Sequence, residues 1–114
     1  MVKIETVLED KSVLIQIEGD IDASSSIQLD ASLSEQVNSA HKLIMIDCGG
    51  LQYISSAGLG VFMSYIEEFK ATDQQFVLFG LSDKVKNVFD MLGLDQLMKI
   101  VDTKEEALTF LNEE

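Results

Sequence analysis

With 114 residues, 46% of them apolar, the chain suits one domain around a single core and is too short for two ordinary ones. Its basic residues are all lysines, eight of them, set against 20 acidic residues for a net charge of −12. Without a guanidinium fork, and with so negative a surface, binding to nucleic acid or to an anionic membrane is disfavoured.

Met1-Val2-Lys3-Ile4-Glu5 alternates polar and apolar residues and lacks the basic-then-apolar pattern of a secretory signal. No apolar run approaches the roughly 20 residues of a membrane span, so a cytoplasmic protein is expected. Val2 to Glu9 and Ser12 to Glu18 alternate as half-buried strands, with Asp10-Lys11 as a tight turn between them. Gly19-Asp20-Ile21-Asp22 breaks that pattern. From Ser25 to Ala40 the residues Leu29, Leu33, Val37 and Ala40 recur at helical spacing, with Ser24, Ser25 or Ser26 available as the cap.

Leu43 to Ile46 is a continuous apolar run that predicts a central strand covered on both faces, running into Asp47-Cys48-Gly49-Gly50. A loop is expected from Gly49 to Ile54. The positions Leu59, Phe62, Met63, Ile66 and Phe69 then mark the buried face of a helix ending near Lys70. Gln75 to Leu81 reads as the next strand, and Ser82-Asp83 opens a third helix carrying Val85, Val88, Phe89 and Leu92. Gly93 stands where a left-handed C-terminal cap belongs. A short strand over Leu97 to Val101 and a terminal helix opened by the capping box Thr103-Lys104-Glu105-Glu106 complete the order. Strands and helices in this succession imply an α/β domain with a mixed sheet.

Few residues offer chemistry. Cys48 is the only cysteine and His41 the only histidine, so neither a disulfide nor the usual zinc site can be assembled, and no metal is expected. Cys48 reads as a packing residue at a strand end and His41 as part of a solvated loop. Asp20-Ile21-Asp22-Ala23-Ser24 superficially matches a D-x-D-x-[ST] phosphatase segment, but a chain this short hardly accommodates the distal acidic pair and lid such enzymes need. The glycines near Ser56 fit neither a dinucleotide turn nor a nucleotide-binding loop. Ile54 also occupies the place of the first glycine in a serine-hydrolase elbow.

Ile54-Ser55-Ser56-Ala57-Gly58-Leu59-Gly60 is the most informative stretch, because it sets two hydroxyls at the start of an amphipathic helix. A serine there can cap the helix, bind an anion or carry a phosphate. A phosphate on Ser56 would add a charge of about −1.5 to −2. In an acidic domain, with Asp22 and Asp47 expected nearby, it would act as an off switch for binding.

Gly19-Asp20-Ile21-Asp22, Leu43 to Asp47, Tyr53 to Gly60 and Val85 to Gly93 together resemble, in order and over nearly the whole chain, the STAS domain of bacterial anti-sigma factor antagonists. The resemblance implies one STAS domain over residues 1–114, with a mixed sheet of about five strands and about four helices packed mainly on one face. It further implies a non-enzymatic, cofactor-free switch. When unphosphorylated, such a protein binds an anti-sigma factor serine kinase and frees a sigma factor; a PP2C-type phosphatase reverses the modification. Ser56 is then the phosphoacceptor. Ser55 stands where the family usually has aspartate, and is the alternative acceptor; Ala57 replaces a second hydroxyl residue. Asp20, Asp22, Ser24, Ser55, Ala57, Gly58 and Leu59 form the implied partner-binding set. The alternative is a STAS subunit held constitutively in a larger signalling or lipid-transport assembly, without phosphorylation.

Overall fold

The computed structural model describes residues 2–9 and 11–112. Strands β1 (Val2–Glu9) and β2 (Ser12–Ile21) pair antiparallel from Val2↔Gly19 to Glu9↔Ser12. Of the turn expected between them, Asp10 lies outside the described residues. Next come α1 (Ser26–Val37), β3 (Leu43–Ile54), α2 (Ser56–Ala71), β4 (Gln75–Phe79), α3 (Asp83–Met91), a 3-10 turn at Leu94–Gln96, β5 (Lys99–Val101) and α4 (Lys104–Asn112). The sheet order is β1-β2-β3-β4-β5, and every pairing after the first is parallel. This is the expected mixed five-stranded sheet.

Alternation along the strands sorts side chains to two faces. Val13, Ile15 and Ile17 of β2 and Ile44, Ile46 and Cys48 of β3 point to one face. There they meet Leu29 and Leu33 of α1, Leu59, Phe62 and Phe69 of α2, and Val85 and Phe89 of α3. Phe62, Phe69 and Phe89 are fully enclosed, each worth about 1.5–3 kcal/mol in burial. Leu14, Met45, Val77 and Phe79 point to the opposite face, beneath Ala107 and Leu111 of α4. Three helices therefore cover one face and one covers the other, which explains the uninterrupted apolar run through β3. Lys104 Nζ also lies 2.7 Å from Glu9 Oε1, tying α4 to β1.

Two boundaries differ from the sequence expectation in ways that matter for the site. β2 does not stop at Glu18 and residues 49–54 do not form a loop: the β2–β3 ladder continues to Asp20↔Tyr53 and Ile21↔Ile54. Gly19, at φ +101°, and two register shifts carry it past the irregular stretch. A Cβ at Gly50 would lie 2.7 Å from Glu18 Cγ and 3.1 Å from the Ile17 carbonyl oxygen, so a side chain there requires β2 to shift. The other boundary is the end of α1, which comes at Val37 and not Ala40. Asn38 Nδ2 and Ser39 Oγ donate to the carbonyls of Ser34 and Gln36, competing with further helical turns.

Elsewhere the differences are smaller. Gly93 takes the expected left-handed φ of +73° directly after the α3 cap Leu92. Leu92 is itself exposed, and β5 begins only at Lys99. Met63 is also exposed, so it does not belong to the buried face of α2.

Candidate functional site

The long β2–β3 ladder delivers both following helices to one place. Ile21 and Ile54 are paired, and Ser55 N donates to the Ile21 carbonyl at 2.8 Å, so the starts of α1 and α2 lie side by side. Tyr65 of α2 fastens the helices further along by donating to Asp30 Oδ1 of α1 at 2.6 Å. Burial, then that hydrogen bond, push the Tyr65 phenol above its ordinary pKa.

At the start of α1 the polar groups are occupied with one another. Asp22 Oδ1 accepts from Ser25 N at 2.8 Å and from Ser24 Oγ at 3.1 Å. Ser25 Oγ accepts from Asp22 N at 2.8 Å and lies 2.9 Å from Asp22 Oδ1 and 3.1 Å from the Asp20 carbonyl, to one of which it donates. Ser26 Oγ donates to the Ala23 carbonyl at 2.7 Å. Ser26 N bonds the Asp22 carbonyl, so the helical turn begins at Asp22, whose carboxylate, rather than a serine hydroxyl, supplies the cap. The Ser25 N–H, then the Ser25 and Ser24 hydroxyls, hold the Asp22 carboxyl down to about 2. Asp22 and Ser24 are exposed and Asp20 half-buried.

The start of α2 is arranged differently. Ser55, half-buried and extended at φ −84°, ψ 170°, is the N-cap, and its Oγ accepts from Gly58 N at 3.2 Å. Its carbonyl takes Leu59 N at 3.0 Å. Among the described residues, no partner takes the N–H groups of Ser56 or Ala57, and no hydrogen bond engages Ser56 Oγ. Ser56 and Ala57 are exposed. Two free N–H groups at the positive end of a 16-residue helix are suited to an anion.

Gly58 and Leu59 lie beneath this surface. Leu59 is 4% exposed and packs in the core. Gly58 is buried, and a Cβ there would stand 2.7 Å from Ile21 Cγ2 and 2.8 Å from Ile54 Cγ1. Both residues seat the helix against the two strands and offer no side chain to a docking protein. Tyr53 and Ile27, 48% and 71% exposed, border the two helix starts. Met63, 48% exposed, follows Ser56 two turns along the same face of α2. These apolar groups escaped the sequence reading because periodicity assigned Met63 inward and said nothing of Ile27.

Three other expectations change. Asp47 pairs with Gln16 and Phe79 far back along β3, roughly 23 Å of strand before Ile54, so it does not flank Ser56. Its Oδ1 instead accepts from Gly49 N at 2.9 Å. Cys48 lies inside β3 and not at a strand end; burial, reinforced by the Asp47 charge, pushes its thiol well up. His41 is half-buried rather than solvated, because Gln74 Nε2 clamps the segment by donating to the carbonyls of Gln36 and His41 at 2.6 and 2.7 Å. Among the described residues, no group of three or more His, Cys, Asp or Glu side chains is placed to hold a metal ion, and no helix is long and apolar enough to cross a membrane.

A mixed sheet with two adjacent helix starts at one end, the second carrying an exposed serine, defines an α/β module. The chain belongs to the STAS domain family, which matches it over residues 3–107. It is 26% identical to the anti-sigma-B factor antagonist of Staphylococcus aureus over 97 residues, 85% of this chain and 90% of that one. Its fold is that of an anti-sigma factor antagonist from Mycobacterium paratuberculosis (TM-score 0.90, 18% identity, 98% and 95% of the two chains covered). The anti-sigma factor antagonist SpoIIAA in its unphosphorylated form is also similar (TM-score 0.81, 24% identity, 98% of each chain). So is the phosphorylated form of the Bacillus protein SpoIIAA (TM-score 0.70, 23% identity, 97% and 99% covered).

Proposed function

We propose that this chain is an anti-sigma factor antagonist, a protein-binding module without enzymatic activity that is switched by phosphorylation at Ser56. Unphosphorylated, it docks through the corner formed by Asp20, Asp22, Ser24, Ser55, Ser56 and Ala57 onto an anti-sigma factor serine kinase and frees a sigma factor in the cytoplasm. Gly58 and Leu59 position that corner from below. The kinase supplies ATP and transfers its terminal phosphoryl group to Ser56 Oγ, and a PP2C-type phosphatase removes it by hydrolysis.

The observation that carries this reading is the division of labour between adjacent serines: Ser55 is committed to the Gly58 N–H, whereas Ser56 is exposed with its hydroxyl unengaged. An accessible hydroxyl at a helix start can be phosphorylated without unfolding the chain, and the free N–H groups there can hold the product. A dianion at this corner would add to the charge of an already acidic chain and would have to be desolvated by any docked partner. The names of the relatives, and the existence of SpoIIAA in both phosphorylation states, support the same reading.

The test is incubation with the cognate kinase and ATP, followed by intact mass. One phosphate is expected on the native chain and on Ser55→Ala, and none on Ser56→Ala, which still binds the kinase; Ser56→Asp binds more weakly. Labelling lost in Ser55→Ala and kept in Ser56→Ala moves the acceptor by one residue. A stable complex with no mass gain identifies a constitutive STAS scaffold.

A further inference from the structure

β1 closes one side of the sheet, and among the described residues no strand pairs with its outer edge. Folded proteins usually blunt such an edge by keeping it short, bulging it, placing proline in it or lining it with charged side chains. β1 uses only the last device, with Lys3, Glu5 and Glu9, so how those charges meet decides whether a second copy is repelled or accepted. β5, at the other side, is three residues long. β1 has eight, pairs with β2 in unbroken register, and the chain contains no proline. Leu8, 63% exposed, stands on the face shared with α1, and Val7, 41% exposed, on the opposite face.

We propose that β1 is a self-association edge, at which two copies of this chain pair antiparallel about a two-fold axis normal to the sheet and join their sheets into one. Such an axis keeps each face continuous, so directly opposed residues must have the same parity. Two registers then oppose all but one residue of β1. Centred on Glu5, the pairing sets that carboxylate against its own copy. Centred on Thr6, it sets Lys3 opposite Glu9 of the second copy, Ile4 opposite Leu8, and Glu5 opposite Val7, with no like charges facing. Opposite charges and apolar pairs across strands stabilise and like charges destabilise, so the Thr6-centred register is selected. It covers Leu8 with an apolar neighbour and places a second lysine beside a Glu9 carboxylate that already meets Lys104. The Lys3 side chain is 66% exposed, and its Nζ lies 3.7 Å from Glu5 Oε1, a solvent-exposed pair that it exchanges for Glu9 of the second copy.

Sedimentation velocity on the full chain, from micromolar to millimolar concentration, tests this. The measurement belongs at about 0.15 M salt, where a Debye length of about 8 Å damps the general repulsion between two acidic chains. A monomer–dimer equilibrium is expected. Lys3→Glu and Glu9→Lys, each repeated twice by symmetry, should weaken the dimer about tenfold or more. The double variant Lys3→Glu/Glu9→Lys should recover most of that loss, because the charges still oppose. Ser56→Ala should dimerise like the native chain, which separates this surface from the switch. A chain that stays monomeric throughout overturns the proposal, as does a dimer indifferent to Lys3→Glu or a double variant no tighter than the single ones.

Discussion

The starts of α1 and α2 lie next to each other, each follows a strand, and each is rich in serine, yet they use their hydroxyls in opposite ways. At α1, Ser24, Ser25 and Ser26 are all hydrogen-bonded, two of them to the Asp22 carboxylate. That start is a closed polar knot. At α2, Ser55 satisfies one N–H, and Ser56, one residue later, has no such duty. A hydroxyl enclosed in a knot serves stability; one left outside it is available to another protein. The contrast gives the first start a structural role and leaves the second with an exposed, unengaged hydroxyl, the group on which the proposed switch rests; it can be strained in both directions by substitution.

The largest expected effect comes from Gly58, the glycine that seats α2. Gly58→Ala places a methyl 2.7 Å from Ile21 Cγ2 and 2.8 Å from Ile54 Cγ1, so helix or strands must move. A loss of about 1–3 kcal/mol is expected from such overpacking, read as a lower denaturant midpoint. Gly60, in the same helix, has nothing within 4 Å of the corresponding position. Gly60→Ala should therefore stabilise by about 0.5–1 kcal/mol, since it removes a glycine from a helix interior without a clash. Opposite signs two residues apart would show that close packing, and not helix propensity, governs Gly58.

Next in size is the pair of serines. Ser55→Ala removes the N-cap and should cost about 1 kcal/mol. Ser56→Ala removes an unengaged hydroxyl and should stay within about 0.5 kcal/mol of the native chain. Chemical denaturation of the two variants side by side checks this. Equal losses would mean that Ser56 also holds the helix start, and the contrast drawn above would fail.

Much of this arrangement was legible in the residues. The order of elements, the twice-covered β3 and the helix start at Ser55-Ser56 followed from apolar spacing, capping chemistry and a recognisable family pattern. Apart from the end of α1, which Asn38 and Ser39 set locally, the failures concern contacts between segments distant in sequence. Gly49-Gly50 reads locally as a break, but β2 supplies a partner backbone that carries β3 through to Ile54. That extension is also what separates Asp47 from Ser56. Gly58 and Leu59 sit within the family motif, and the motif alone does not say which of its residues face inward. Met63 sits at a helical spacing consistent with burial, yet it is exposed. Its exposure depends on where neighbouring helices end, which periodicity does not encode.

The smallest expected effect concerns the charge in the α1 knot. Asp22 is exposed, and its carboxyl is held down to about 2 from an ordinary 3.8, first by the Ser25 N–H. Its folded pKa lies below its unfolded one, so the unfolded chain takes up the proton first as the solution is acidified. The stabilisation is complete above the ordinary value of 3.8 and is lost as pH falls through about 2. Asp22→Asn keeps a side chain able to cap a helix but removes the charge. The stability difference between native and variant should thus be flat from neutral pH down to about pH 5, then shrink and vanish near pH 2. Thermal melts of both proteins across that range measure it, and the difference cancels the carboxylates common to the two. A gap that persists unchanged at pH 2 would mean that Asp22 acts through shape alone, leaving its charge free for a docking partner.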